Sequence, residues 1–179
     1  MHLYHLGILF YHIFFNGARL FGNSMNQRQT DRSLVGKVLR HDADALVLAL
    51  YDAEGKRDGT GLCPYENILR VEWSSQYLNG ITSEALAPWD AKDGGAWTAF
   101  WQDAQEKQRL VSVTKTDGHK VCGFCDAYDA EKVHLQRICL TGCAGRACTL
   151  RRVGMTWVCY DSDDERQLAA KAKEVANCD

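Results

Sequence analysis

The chain has almost no charge imbalance: 21 lysines and arginines face 23 aspartates and glutamates, for a formal net charge of −2. That balance excludes a strongly basic nucleic-acid binder and leaves room only for a local basic patch. Residues 6–15 are apolar but too few to span a bilayer. They also make a poor secretory signal, because His12 interrupts the run and the only basic residues before it are histidines. A glycine-rich phosphate loop, a catalytic triad and a pair of acid/base carboxylates are all missing. No histidine has a convincing nucleophile or carboxylate companion; His41, beside Asp42, reads as turn packing. These absences set the expectation of a non-enzymatic, cytoplasmic protein with no membrane partner and reduced thiols.

What the chain does have is the same unit twice. Sliding residues 34–75 by 87 positions onto 121–162 brings seven identical pairs together without a gap. They include Gly36/Gly123, Asp42/Asp129, Leu48/Leu135, Gly55/Gly142 and Val71/Val158, with conservative pairs such as Leu46/Val133 and Ile68/Met155 between them. An internal repeat sets the architecture before any local reading. At 179 residues each copy has about 55–60 residues, near the lower limit for an independent core, so the copies are expected to pack on one another or on a partner.

Inside each copy the apolar period is that of strands. Leu34, Gly36 and Val38 alternate up to a turn at residues 41–44, and Leu46, Leu48 and Leu50 resume it. Residues 53–59, with Gly55 and Gly59, read as a turn, and Ile68, Val71 and Trp73 close the unit. The second copy runs alike, with a loop at 141–146 and one extra strand in front, 110–114. The matching stretch of the first copy, around 24–29, is too polar to read as a strand. Between the copies, Trp97, Phe100, Trp101 and Ala104 fall on one face of a short helix, a stripe that reads as core. A second helix begins at Ser162, which has capping-box spacing to Glu165, and Leu168, Ala172, Val175 and Ala176 give it one apolar face. Residues 1–24 fit neither copy. They read either as an extension upstream of Met25 from a misplaced start codon, or as an amphipathic helix using Leu3, Leu6, Phe10 and Ile13 to cover a barrel mouth.

Residues 36–48 resemble the first signature of Sm-like proteins, the family that includes Hfq. Gly36, Val38 and Asp42 are followed by the apolar strand 46–50; the second copy offers Gly123, Cys125 and Asp129 followed by 133–135. The full layout is similar to bacterial proteins with two tandem Sm-like or SH3-like barrels, through Tyr51-Asp52, Gly55, Asp58-Gly59 and Ser75-Gln76-Tyr77. The resemblance implies a mainly β fold: two tandem small antiparallel β-barrels joined by a short helix, with a C-terminal helix. Its divisions are 1–24 (extension), 25–80 (first barrel), 81–108 (linker with helix) and 109–179 (second barrel plus C-terminal helix). The family also implies association through edge strands, as an intrachain pseudo-dimer or a homo-oligomeric ring, with RNA or protein as partner. Two departures weaken RNA. The asparagine that reads a base edge in Sm proteins is replaced by Leu46 and Val133, and the Ile-Arg-Gly type turn of the second signature is missing.

Eight cysteines carry the alternative chemistry. Cys122 and Cys125 have knuckle spacing, but they align with strand positions Val35 and Val38, and residues three apart on a strand face opposite ways. Cys139, Cys143 and Cys148 flank and occupy a loop, where they could converge on zinc with His134 or Cys159 as a fourth ligand, or act as a thiol switch. They stand where the first copy has Asp52, Lys56 and Gly61. Asp52, Glu54 and Asp58 lack the spacing of a calcium loop and read as a solvated hairpin. Arg137, Arg146, Arg151 and Arg152 are the one basic concentration, enough for one or two phosphate contacts or simply for solubility.

Overall fold

The alternating segments of both copies become strands, and the two copies fold alike. The computed structural model describes residues 11–15, 33–52, 54–72, 78, 89 and 94–176. The first unit consists of β1 (Tyr11–Phe15), β2 (Ser33–His41), β3 (Ala45–Tyr51), β4 (Arg57–Pro64) and β5 (Ile68–Glu72). The second consists of β6 (Leu110–Lys115), β7 (Lys120–Tyr128), β8 (Lys132–Arg137), β9 (Cys148–Arg151) and β10 (Met155–Tyr160). The ten strands form one antiparallel sheet in the order β5-β1-β2-β3-β4-β10-β6-β7-β8-β9. One pattern therefore occurs twice along the sheet: fifth strand, first, second, third, fourth.

The repetition extends to register. Val38 pairs with Leu48 and Cys125 with Leu135, and each pairing is followed at once by a bulge in the same place. Short 3-10 turns, Tyr65–Asn67 and Arg152–Gly154, precede the fifth strand of each unit. The shared glycine of each second strand has a steric cause. A Cβ on Gly36 would lie 2.7 Å from the Ala49 carbonyl oxygen, and one on Gly123 would lie 2.4 Å from that of Gln136.

The units join where β4 pairs with β10, Leu62 opposite Val158, Gly61 opposite Cys159 and Thr60 opposite Tyr160. Here the structure departs from the expected pair of closed barrels. Among the described residues the sheet is open, because β4 pairs with the fifth strand of the other unit and not with that of its own. Neither β4 nor β9 stands out in the sequence: Gly59, Gly61 and Pro64 depress strand propensity in one, and the other has only four residues.

A second correction concerns the N-terminal segment. Ile13 lies in strand β1, not in an amphipathic helix; Leu3, Leu6 and Phe10 lie outside the described residues. Strand β1 pairs Tyr11 with Gly36, as β6 pairs Val111 with Gly123. It is the first unit's copy of the strand expected only in the second, and it also holds β5 through His12–Glu72 and Ile13–Val71. A first unit starting at residue 25 leaves this strand out.

Each unit has an apolar cluster that reaches into its neighbour. Leu46, Leu48, Leu50 and Cys63 cluster with Leu34, Val38, Ile68 and Val71 in the first, and with Trp157 and Cys159 of β10. Seven of the eight repeat mates, Val133, Leu135, Leu150, Val121, Cys125, Met155 and Val158, cluster in the second, which continues into the linker helix; the eighth, Arg137, is exposed. The linker helix, Ala96–Glu106, adds a further layer: Trp97, Phe100 and Trp101 pack on Ala45, Val47 and Leu62, the outer face of β3 and β4. The expected aromatic stripe is thus core. The C-terminal helix, Asp163–Ala176, seats Leu168 against Leu110 and Cys122. Its Glu165 carboxylate accepts hydrogen bonds from the Ser162 hydroxyl and, at 3.2 Å, the Ser162 N–H. Burial would raise the Glu165 carboxyl, but hydrogen bonds from Ser112 and Ser162 and the Lys120 ammonium outweigh it and hold it low. Among the described residues no helix is long and apolar enough to cross a membrane.

Candidate functional site

The repeat builds a concavity where the two units meet. A cleft of about 680 Å³ is lined by Ala43, Asp44, Pro64, Tyr65 and Glu66 and by the five residues that repeat them, Ala130, Glu131, Arg151, Arg152 and Val153. The same two turns form it in each unit. Asp42 Oδ1 accepts the N–H groups of Asp44 (2.8 Å) and Ala45 (2.9 Å), and Asp129 Oδ1 those of Glu131 (2.8 Å) and Lys132 (3.0 Å). The Tyr65 N–H donates to the Asp44 carbonyl at 2.9 Å, and the Arg152 N–H to that of Glu131 at 2.7 Å. These are the hydrogen bonds that side-chain-to-backbone turns use in place of a ladder, and they explain why the aspartate is one of the repeated residues.

The aspartates differ in one respect. Asp42 Oδ2 also accepts the N–H of Ala96 at 2.6 Å, so it caps the linker helix from a different segment of the chain. Burial works to raise the Asp42 carboxyl, but three backbone N–H groups and the nearby Arg152 charge hold it below the usual carboxylate range. In the second unit the helix is met instead by the Asp129 carbonyl, which accepts the Trp97 indole N–H at 2.6 Å.

The cleft gathers Arg151 and Arg152, whereas Arg137 lies in β8 and Arg146 in the loop before β9, and neither lines it. Arg152 is engaged across the seam: its Nη2 lies 3.2 Å from Asp44 Oδ2, and its guanidinium sits 5.3 Å from the Trp97 ring centroid. Three carboxylates, Asp44, Glu66 and Glu131, share the lining with the two guanidiniums. The charge is therefore mixed, unlike the basic groove that tracks a phosphate backbone. Leu46 (7 % exposed) and Val133 (0 % exposed) point into the unit interiors, away from any base.

The cysteines separate into buried and exposed. Cys122 lies with Leu110 and Leu168 on one face of β7, and Cys125 lies in the main core on the other, as strand geometry requires. Burial pushes the Cys125 thiol up to about 12. Cys148 is half-buried against the core, and burial raises its thiol too. Cys139 and Cys143 stand exposed in the loop between β8 and β9. Thr141 Oγ1 lies 2.9 Å from the Cys139 sulfur and 3.5 Å from that of Cys143. The Thr141 hydroxyl first, then the N–H groups of Thr141 and Cys143, hold the Cys139 thiol below its ordinary range. The expected three-cysteine group is thus divided, and among the described residues no three metal-ligating side chains converge. His134 Nδ1 is instead 2.8 Å from the Thr149 hydroxyl.

Compared with protein-family models, with curated proteins and with solved structures, the chain matches none. The molecule is defined by its own geometry: a mainly β protein of two repeated five-stranded units sharing one open antiparallel sheet.

Proposed function

We propose that this is a non-enzymatic, cytoplasmic scaffold of two Sm-like units that binds an extended protein segment, or a second copy of itself, by strand addition. One observation carries the reading. The seam joins a fourth strand to a fifth strand, and among the described residues the sheet ends on the two remaining members of that pair, β5 and β9. Unpaired backbone N–H and C=O groups on such strands are a template for another strand. The open edges are more polar than the seam: Arg70 and Glu72 stand where β10 has Trp157 and Cys159, and Thr149 where β4 has Leu62. That composition suits reversible contact better than a permanent interface. Protein is favoured over RNA because the cleft mixes charges and because Leu46 and Val133 replace the base-reading asparagine.

The test is native mass spectrometry of protein purified without nuclease or chelator. A second copy or a bound polypeptide, insensitive to salt, is the expected result. Stoichiometric nucleic acid released steeply by salt would replace this reading with RNA binding.

A further inference from the structure

The loop that holds Cys139 and Cys143 has a twin in the first unit, and the twin reveals what such a loop stabilises. In the first unit the Asp52 N–H donates to the Lys56 carbonyl at 3.0 Å and the Gly55 N–H to the Asp52 carbonyl at 3.1 Å. In the second the Cys139 N–H donates to the Cys143 carbonyl and the Gly142 N–H to the Cys139 carbonyl, both at 2.9 Å. Gly55 (φ 80°) and Gly142 (φ 91°) make the same left-handed turn. The first loop encloses an anion: Asp52 Oδ1 accepts the N–H groups of Glu54 at 3.1 Å and Lys56 at 2.8 Å. In the second, Cys139 stands at the Asp52 position of the same turn, and the N–H groups of Thr141 and Cys143, the repeat mates of Glu54 and Lys56, help to hold its thiol below the ordinary range. Backbone N–H groups turned toward one point favour an anion there, and in the second loop the side chain at that position is a sulfur exposed to solvent and 2.9 Å from the Thr141 hydroxyl.

We infer that Cys139 and Cys143 form a redox-active dithiol, with Cys139 as the nucleophile and Cys143 as the resolving thiol, whose substrates are low-molecular-weight disulfides. In the first step the Cys139 thiolate attacks one sulfur of glutathione disulfide; a protein–glutathione disulfide forms and one glutathione thiolate leaves. In the second, Cys143 loses its proton to solvent and its sulfur attacks Cys139 Sγ. The Cys139–Cys143 disulfide forms, and the second glutathione leaves as a thiolate. Two protein thiols have then given up two electrons and two protons, and one glutathione disulfide has become two glutathiones. The Thr141 hydroxyl, within reach of both sulfurs, positions them for the second step. Cys63, Cys122, Cys125 and Cys159 are buried and take no part. The first unit, with Asp52 and Lys56 at these positions, has no equivalent chemistry.

Trypsin cuts after Arg137 and Arg146, so one peptide, 138–146, carries both thiols. The native full-length protein is incubated with glutathione disulfide at neutral pH, quenched in acid, alkylated and digested. The expected peptide 138–146 is lighter by two hydrogens and carries no alkyl group. Cys143→Ser is expected to trap glutathione on Cys139, and Cys139→Ser to leave Cys143 modified at least about tenfold more slowly. In the Cys143→Ser protein, alkylation of Cys139 by iodoacetamide should rise with pH to a midpoint below the ordinary thiol value of about 8.5, and the advantage should vanish in denaturant. A doubly alkylated wild-type peptide, equal rates in the two serine variants, or a midpoint at or above the ordinary value would overturn the assignment.

Discussion

β3 and β8 hold the same place in two copies of one unit, yet all seven residues of β3 are buried while three of the six in β8 are exposed. Two of the three inward positions match, Leu46 and Leu48 against Val133 and Leu135, while at the third buried Leu50 stands against exposed Arg137. The larger difference lies on the outer face, where Ala45, Val47 and Ala49 stand against Lys132, His134 and Gln136. The linker helix covers that face of β3, and on β8 it is left to water. β3 is therefore covered on both faces and β8 on one, and the helix that covers β3 also belongs to the core of the second unit. A repeat in sequence need not be a repeat in energetics, because what packs on the outside belongs to the connection and not to the unit.

The sharpest way to break this comparison is to place the same charge at the same position twice. Val47→Asp buries a carboxylate with no partner and should cost at least about 4 kcal/mol, enough to unfold the protein. His134→Asp, at the repeat position, should stay within about 1 kcal/mol. Thermal melts of the two variants check this; similar losses would mean that both faces are equally covered. Leu48→Ala and Leu135→Ala, each in the interior of its unit and each fully buried, should both cost about 3 kcal/mol, since these two inward positions are equivalent where the outer faces are not. Denaturant unfolding at 25 °C measures the pair.

A smaller effect separates the aspartates. Asp42→Ala removes two turn hydrogen bonds and the helix cap and should cost about 1–2 kcal/mol. Asp129→Ala removes only its own turn and should cost about half as much. Acid dependence follows from the same groups. Asp42, Asp103 and Glu165 are carboxyls held below their ordinary range in the folded protein. Their stabilisation is complete above the unfolded carboxylate pKa and is lost as pH falls through the folded values. Glu165 lies beyond the repeated stretch, in the C-terminal helix, so Glu165→Gln should flatten the acid limb of a melting-temperature profile while leaving the contribution of Asp42 in the first unit in place. An unchanged limb would show that Glu165 does not titrate with folding.

Much of this was legible in the sequence, for reasons that can be named. The repeat offset placed the strands, the shared glycine and the shared turns, because each is fixed by contacts within a unit. The double covering of β3 was masked: residues 45–51 are apolar throughout, but Leu46, Leu48 and Leu50 read as the same alternation that β8 shows. The seam was hidden, since Gly61 and Pro64 mask β4 and the pairing partner of an edge leaves no local signal. β1 was hidden as well: its register matches β6 only across an insertion that the fixed offset cannot follow. Of the candidate sites, Cys139 and Cys143 could be placed together in a loop by eye, but the anion-holding role of that loop emerges only when Asp52 is seen in the twin position with its hydrogen bonds drawn.

The units join through β4 and β10 and, among the described residues, leave β9 at the edge; amide hydrogen exchange of the free protein at low concentration reads this out. Strand β4 is paired on both sides, so the amides of Thr60, Gly61 and Leu62 should all be protected at close to the level of global unfolding. Cys148 and Thr149 repeat Gly61 and Leu62 on the edge strand β9, and their outward-facing amides should exchange far faster. Equal protection of the two stretches would contradict the account, for it would mean that β9 is already paired and that the sheet does not end where the structure ends it.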